Sequence, residues 1–215
     1  MHNYTPRVFL IVGSPASGKD ELIAAVNTIG KLHAEIVPKH TNRDVRVDDG
    51  DEMICKYKYT KGGELEINNQ FDLENCDFLY ENFGTKYGIK TSLIWDKLQN
   101  GVSQVVVVSD KEALNQLMGC FGNLAVVVYV YSQITRNEYH EREIMKLKKK
   151  KSDFELSPEN AGYIERRVAE FDKAWNVYVD NFMLFNHVLI YADAQEDLFD
   201  QVFRLFKAYE RGLLK

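Results

Sequence analysis

The chain has 215 residues, 45% of them hydrophobic and 27% charged, and a formal net charge of -5 at pH 7. That length allows one substantial core, and the balance argues against a disordered chain and against a general nucleic-acid binder. The longest apolar run, Leu124 to Tyr131, falls well short of the roughly 20 residues that cross a bilayer, and the N-terminus enters a strand pattern without a signal-peptide layout, so a cytoplasmic protein with no membrane partner is expected.

In chain order, Arg7 to Val12 predicts a first strand and Lys19 to Ile29 a helix. Residues 55–89 break the rhythm. Cys55 to Tyr59 alternates at period two, Lys61 to Glu64 is a turn signal, and Phe78 to Glu81 and Lys86 to Ile89 are short strand candidates, which predicts a small antiparallel insertion. Gln104 to Val108, Leu124 to Tyr131 and His187 to Tyr191 are β-branched apolar runs of the kind found in buried parallel strands. Between Glu138 and Pro158 lies a charged, irregular stretch containing Lys146 to Lys151, either a solvated face or a lid over an anionic substrate. Ile164, Val168, Phe171, Trp175, Tyr178 and Phe182 mark one helical seam, and Leu198, Val202, Leu205 and Tyr209 another. Strands alternating with helices imply an α/β fold with a parallel sheet covered by helices. Cys55, Cys76 and Cys120 are odd in number and widely spaced, which suggests neither a disulfide framework nor a zinc site.

The strongest motif is Gly13-Ser14-Pro15-Ala16-Ser17-Gly18-Lys19, a GxxxxGK spacing set between a predicted strand and a predicted helix. Glycines permit backbone angles that turn successive N–H groups around phosphate oxygens. The helix N-terminus adds positive potential, and the Lys19 ammonium is a point charge for the outer phosphates. Gly13 through Asp20 are therefore the expected binding residues for an ATP-like nucleotide. A Ser or Thr usually follows the lysine and reaches magnesium; here the residue is Asp20, whose carboxylate suits magnesium and equally suits the first turn of a helix.

Further on stand Lys39-His40-Thr41-Asn42-Arg43-Asp44-Val45-Arg46, then Gly50-Asp51 and Tyr57, and later Tyr87-Gly88 after a strand candidate. Together with the phosphate loop this order resembles the guanylate kinase family over nearly the whole chain. The resemblance implies a P-loop parallel sheet in one domain, with residues 1–37, 90–135 and 185–215 as core, 38–89 as acceptor-binding insertion, and 136–184 as helical lid and following long helix. It implies transfer of the terminal phosphoryl group of ATP, with Mg2+, to a nucleoside monophosphate, GMP first. It assigns substrate binding to Thr41, Arg43, Arg46, Tyr57, Glu81, Tyr87 and Asp110, and catalysis to Lys19, Arg142 and Arg167.

Chemistry bears on these assignments. Arg43 and Arg46 can present planar forks to one phosphate. Glu81 is the carboxylate on the strand before Tyr87-Gly88, where a one-residue slip would turn it to the other face. Asp110 also fits a capping box beginning at Ser109, and Glu138 with Arg142 fits an i,i+4 surface pair. Asp20 in the loop and Ile89 after Gly88 depart from guanylate kinases and are more similar to ribose 1,5-bisphosphate phosphokinases. A non-catalytic module that senses nucleotide or binds peptide is the third reading.

Overall fold

The computed structural model describes residues 4–46, 50, 52–82, 84–150, 158–192 and 195–214. The apolar run after Arg7 forms β1 (Val8–Val12), buried along its whole length. Its neighbours are β9 (Ser103–Val107) on one side and β10 (Ala125–Ser132) on the other, both parallel to it. With β2 (Ala34–Ile36) and β11 (His187–Tyr191) they make a five-stranded parallel sheet in the order β11-β10-β1-β9-β2. Alternation along the strands sends side chains to two cores. Val8, Leu10, Val12, Val106 and Tyr129 meet α2 (Thr91–Gln99) and α3 (Lys111–Phe121). Phe9, Ile11, Val105, Val128 and Leu189 meet α1 (Lys19–Thr28) and α6 (Gln195–Glu210).

A second sheet has the order β4-β3-β8-β7, built from β3 (Lys39–Thr41), β4 (Met53–Cys55), β7 (Phe78–Asn82) and β8 (Thr85–Ile89). It holds the expected antiparallel pairings, β3–β8 and β7–β8, and adds a parallel pairing of β3 with β4. The expected strand from Cys55 to Tyr59 is divided at Lys56. Cys55 is buried and pairs with Thr41, whereas β5 (Tyr57–Tyr59) forms a separate exposed hairpin with β6 (Leu65–Ile67).

The stretch after Glu138 is also more regular than expected, since α4 spans Arg136–Lys150. Its start is a reciprocal cap: Thr135 N donates to Glu138 Oε2 at 2.7 Å and Glu138 N donates to Thr135 Oγ1 at 3.3 Å. Lys146 to Lys150 are thus helical, and Lys151 lies outside the described residues. The following helix, α5 (Pro158–Asp180), buries Ile164 and Val168 against Tyr139 of α4. The predicted seam fades toward its end, where Trp175 is 39% and Phe182 61% exposed. Phe182 lies past the last turn of α5 in a short 3-10 turn, so helical spacing no longer sets its direction. No described helix is long and apolar enough to cross a membrane.

Phe9 of β1 stacks on Phe206 of α6 with ring centroids 4.0 Å apart. Phe206→Ala should therefore cost about 3–5 kcal/mol, read as a lowered urea midpoint with an unchanged slope.

Candidate phosphate-binding cleft

Beyond the C-terminal end of β1 the chain turns through the loop of residues 13–18 into α1. Close approach dictates its glycines. A Cβ on Gly13 would lie 2.7 Å from Val130 O, and Gly18 combines a φ of 94° with a Cβ position 2.6 Å from the Tyr191 ring. Ala16, at the exposed tip, holds a φ of 60°, a left-handed conformation that costs a non-glycine residue about 1–2 kcal/mol. Ser14 and Ser17 are buried behind the tip, Ser14 Oγ lying 3.4 Å from Tyr129 Oη. Lys19 folds back over the loop, its Nζ donating to Gly13 O at 2.9 Å and to Ser14 O at 2.6 Å. Asp20 is exposed at the rim.

The loop forms one wall of a cleft of about 980 Å³. Residues of α1, β2, the end of β9, the second sheet with its connecting segments, and α5 complete its lining. Among the described lining residues are seven cations (Lys19, Lys39, Arg43, Arg46, Arg166, Arg167 and Lys173) and four acids (Asp20, Asp44, Glu52 and Glu170). A local excess of positive charge in a protein with a net charge of -5 marks this cleft as a site for anions. The crowding is visible in the lysines themselves. Burial, opposed by Asp20 and reinforced by the charge of Lys39, pushes Lys19 down to about 8. Burial pushes Lys39 down to about 8 as well, with Glu52 opposing and Arg43 reinforcing the shift.

The sequence-derived candidates divide into those the fold gathers and those it does not. Gly13, Pro15, Ala16, Lys19, Asp20, Arg43, Arg46, Tyr87 and Arg167 line the cleft. Arg43 Nη1 donates to Asp44 O at 2.9 Å, and Arg167 pairs with Glu143 at 3.5 Å and with Glu170. Thr41 is fully buried, and its Oγ1 accepts from Arg43 N at 3.3 Å, so it shapes the turn that presents Arg43. Glu81, Tyr57 and Arg142 are not among the described lining residues. Glu81 is exposed and does not line the cleft, because alternation along β7 turns Tyr80 and Asn82 inward and Glu81 outward. Tyr57 is 45% exposed on the β5–β6 hairpin and is not a lining residue. Arg142 is exposed on α4 and is likewise not a lining residue. Asp51 lies outside the described residues.

Asp110 is not among the described lining residues of the cleft; it caps a helix and pairs with a lysine. It is itself the N-cap of α3, with Oδ1 accepting from Ala113 N at 3.0 Å, so the cap begins one residue later than the Ser109 box. Its Oδ2 accepts from Lys173 Nζ at 2.9 Å, and the same Nζ lies 3.2 Å from Asn82 Oδ1. Those bonds hold its carboxyl below the usual range, against burial, which acts in the opposite direction as the largest single effect. Lys173 therefore ties α5, β7 and the N-cap of α3 together at the rim of the cleft.

Sequence reasoning missed Lys39, Tyr80, Asn82 and Lys173. The signal for Lys173 was available: Arg166, Glu170 and Lys173 recur at helical spacing opposite the aromatic seam. Tyr80 stacks on Tyr87 with centroids 5.1 Å apart, and period-two alternation alone would have placed it beside Asn82.

Asp110→Ala should lower stability by about 1–2 kcal/mol, because it removes a cap and an ion pair together. Asp110→Asn keeps an acceptor for Ala113 N and loses only a pair partly open to water, so its cost should stay below about 1 kcal/mol. Parallel denaturant titrations of the two variants check this ranking.

No protein-family model and no curated protein matches the chain. Among solved structures, guanylate kinase from Anaplasma phagocytophilum superposes with a TM-score of 0.60 at 13% identity, covering 98% of this chain and 89% of that one. Dephospho-CoA kinase from Campylobacter jejuni gives a TM-score of 0.41 at 10% identity, covering 97% of this chain and 100% of that one. The parallel sheet, the loop at the end of β1 and the superposition agree: the chain has a guanylate-kinase-like P-loop kinase fold.

Proposed function

We propose that the protein is a phosphotransferase that moves the terminal phosphoryl group of ATP to a small acceptor already carrying a phosphate. The observation that carries this reading is that one cleft is lined both by Lys19 with its loop and by Arg43, Arg46 and Tyr87. Two phosphate-seeking sets in one cleft suit a reaction in which one phosphate attacks another. Such an attack needs no general base, because the acceptor oxygen is already ionised.

The residues present fit magnesium entering with the nucleotide. Among the described residues no group of three or more His, Cys, Asp or Glu side chains is arranged to hold a metal. Asp20, exposed beside Lys19 in the cleft, would offer magnesium one carboxylate oxygen in place of the usual hydroxyl. The ion would neutralise charge on the outer phosphates. Lys19 would exchange its bonds to the Gly13 and Ser14 carbonyls for phosphate oxygens. Arg167, held by Glu143 and Glu170, would balance charge on the group in transit, and α5 would exclude water on closing.

For the acceptor, the nucleoside monophosphate reading, with GMP first, is supported by the Arg43 and Arg46 pair and the Tyr87 phenol. A sugar phosphate, ribose 1,5-bisphosphate in particular, is favoured by the wall where a guanine base would be read. There Glu81 faces outward and Ile89 is fully buried. Incubation with ATP, magnesium and, in turn, GMP, dGMP, AMP, UMP, CMP or ribose 1,5-bisphosphate decides among them. Transfer to none of them, with nucleotide still bound, would support the non-catalytic module.

Lys19→Met should abolish transfer and leave the unfolding midpoint nearly unchanged, since the side chain serves the cleft rather than the core; equal turnover would contradict the loop assignment. Arg43→Ala should raise the acceptor KM at least about tenfold while ATP affinity holds. In magnesium titrations of initial rate, Asp20→Asn should need more metal and Asp20→Ser should recover much of the wild-type behaviour. Three superimposable curves would instead leave Asp20 as a complement to the helix dipole.

A further inference from the structure

Lys39 occupies the seam between the two sheets. Val37 N still donates to Val105 O on β9 at 2.9 Å, while Lys39 N already donates to Glu52 O at 2.9 Å. Between those two bonds the chain leaves the core sheet and starts the acceptor wall. The next residue, His40, is buried, with Nδ1 accepting from Asp72 N at 3.1 Å. Lys39 instead lines the cleft. Its Nζ reaches back across the seam to donate to Val107 O, at the end of β9, at 3.0 Å, and lies 5.7 Å from the centroid of the Tyr87 ring. Its charge is felt at Lys19, and it feels Asp20 of the phosphate loop together with Glu52 and Arg43 of the acceptor wall.

We propose that Lys39 is a further catalytic cation, which touches the phosphoryl group in transit between the phosphate loop and the acceptor arginines. The inference rests on the phosphotransferase reading above. In the transfer, an oxygen of the acceptor phosphate forms a new bond to the terminal phosphorus of ATP. The bridging P–O bond breaks, and its electron pair leaves with ADP. No proton moves, and Lys39 remains an ammonium throughout. Negative charge spreads over the equatorial oxygens of the transferred group, midway between the two walls, and a cation fixed at the seam acts on it more strongly than on either ground state. The bond to Val107 O anchors the ammonium beforehand, so little reorganisation accompanies the step. A lysine suits this position because a compact charge with several donors can follow a moving group, whereas the planar forks of Arg43 and Arg46 suit a stationary phosphate.

The test uses the full chain with Lys39→Met and Lys39→Arg, first by calorimetry with magnesium and ATPγS and then by turnover with the best acceptor of the panel, or with water as acceptor. Lys39→Met should bind ATPγS within about threefold of wild type, with an unchanged unfolding midpoint, and should lose on the order of 10²–10³ in kcat at saturating acceptor. Lys39→Arg should recover at least about tenfold of that loss, as a second cation on the same seam. A Lys39→Met enzyme with kcat within about threefold of wild type overturns the inference and leaves the phosphotransferase standing. Loss of ATPγS binding in Lys39→Met also overturns it, because the lysine would then belong to the donor site alone. A lowered kcat accompanied by a lowered unfolding midpoint, with no recovery in Lys39→Arg, overturns it in favour of a structural bond to Val107. Wild-type protein that neither binds ATPγS nor transfers phosphate removes both readings together.

Discussion

Everything in the site hangs on β1. Its five residues are buried, and parallel ladders to β9 and β10 hold it from both sides. A strand so held cannot shift register without exposing two layers of apolar side chains, since Leu10 belongs to one core and Phe9 to the other. The loop that follows inherits that rigidity. Gly13 lies against the backbone of β10 and Gly18 against Tyr191 of β11, so the loop is clamped by neighbouring strands as well as by the chain on either side. The left-handed Ala16 at the tip is strain that such a frame can hold in place.

The cleft is also an electrostatic construction. Lys39 adds to the depression of Lys19 and Arg43 to that of Lys39, after burial, and several of the cations hold local partners: Lys19 on loop carbonyls, Arg43 on Asp44 O, Arg167 on Glu143 and Glu170, Lys173 on Asp110. These contacts hold the cleft's cations in place and can be exchanged for bonds to bound phosphate. The gain on binding is therefore a difference between two sets of polar contacts, with the relief of mutual repulsion added. Lys173 acts at a different level, because it links α5, β7 and the α3 cap, and so couples the position of the helix carrying Arg166 and Arg167 to the acceptor wall.

Much of this was legible in the sequence. Buried parallel strands read as continuous apolar runs, and the phosphate loop reads from its glycines and lysine, because both depend on local backbone requirements. The acceptor wall was harder for an equally physical reason. Short strands such as β3 and β4 contain too few residues to show a period, so the division at Lys56 and the parallel pairing of Cys55 with Thr41 could not be read from alternation. The inward face of β7 follows from the pleat, which turns Tyr80 and Asn82 inward and Glu81 outward, whereas the family resemblance points to the carboxylate alone. Lys39 has no local signature at all. Its importance comes from the seam between two sheets, which exists only once both are folded. Arg142 and Arg167 both lie in the region that resembles the lid; in the folded chain Tyr139 packs against Ile164 and Val168, and Arg167 but not Arg142 lines the cleft.

The most direct measurement is a crystal structure of the protein with magnesium and ATPγS. The account predicts the triphosphate wrapped by residues 13–19, Lys19 Nζ moved from the Gly13 and Ser14 carbonyls to phosphate oxygens, and the terminal thiophosphate directed toward Lys39 and Arg43. A nucleotide bound elsewhere, for example in the smaller depression of about 450 Å³ beside Tyr4, His33 and Lys207, with Lys19 still on its own loop, would contradict it.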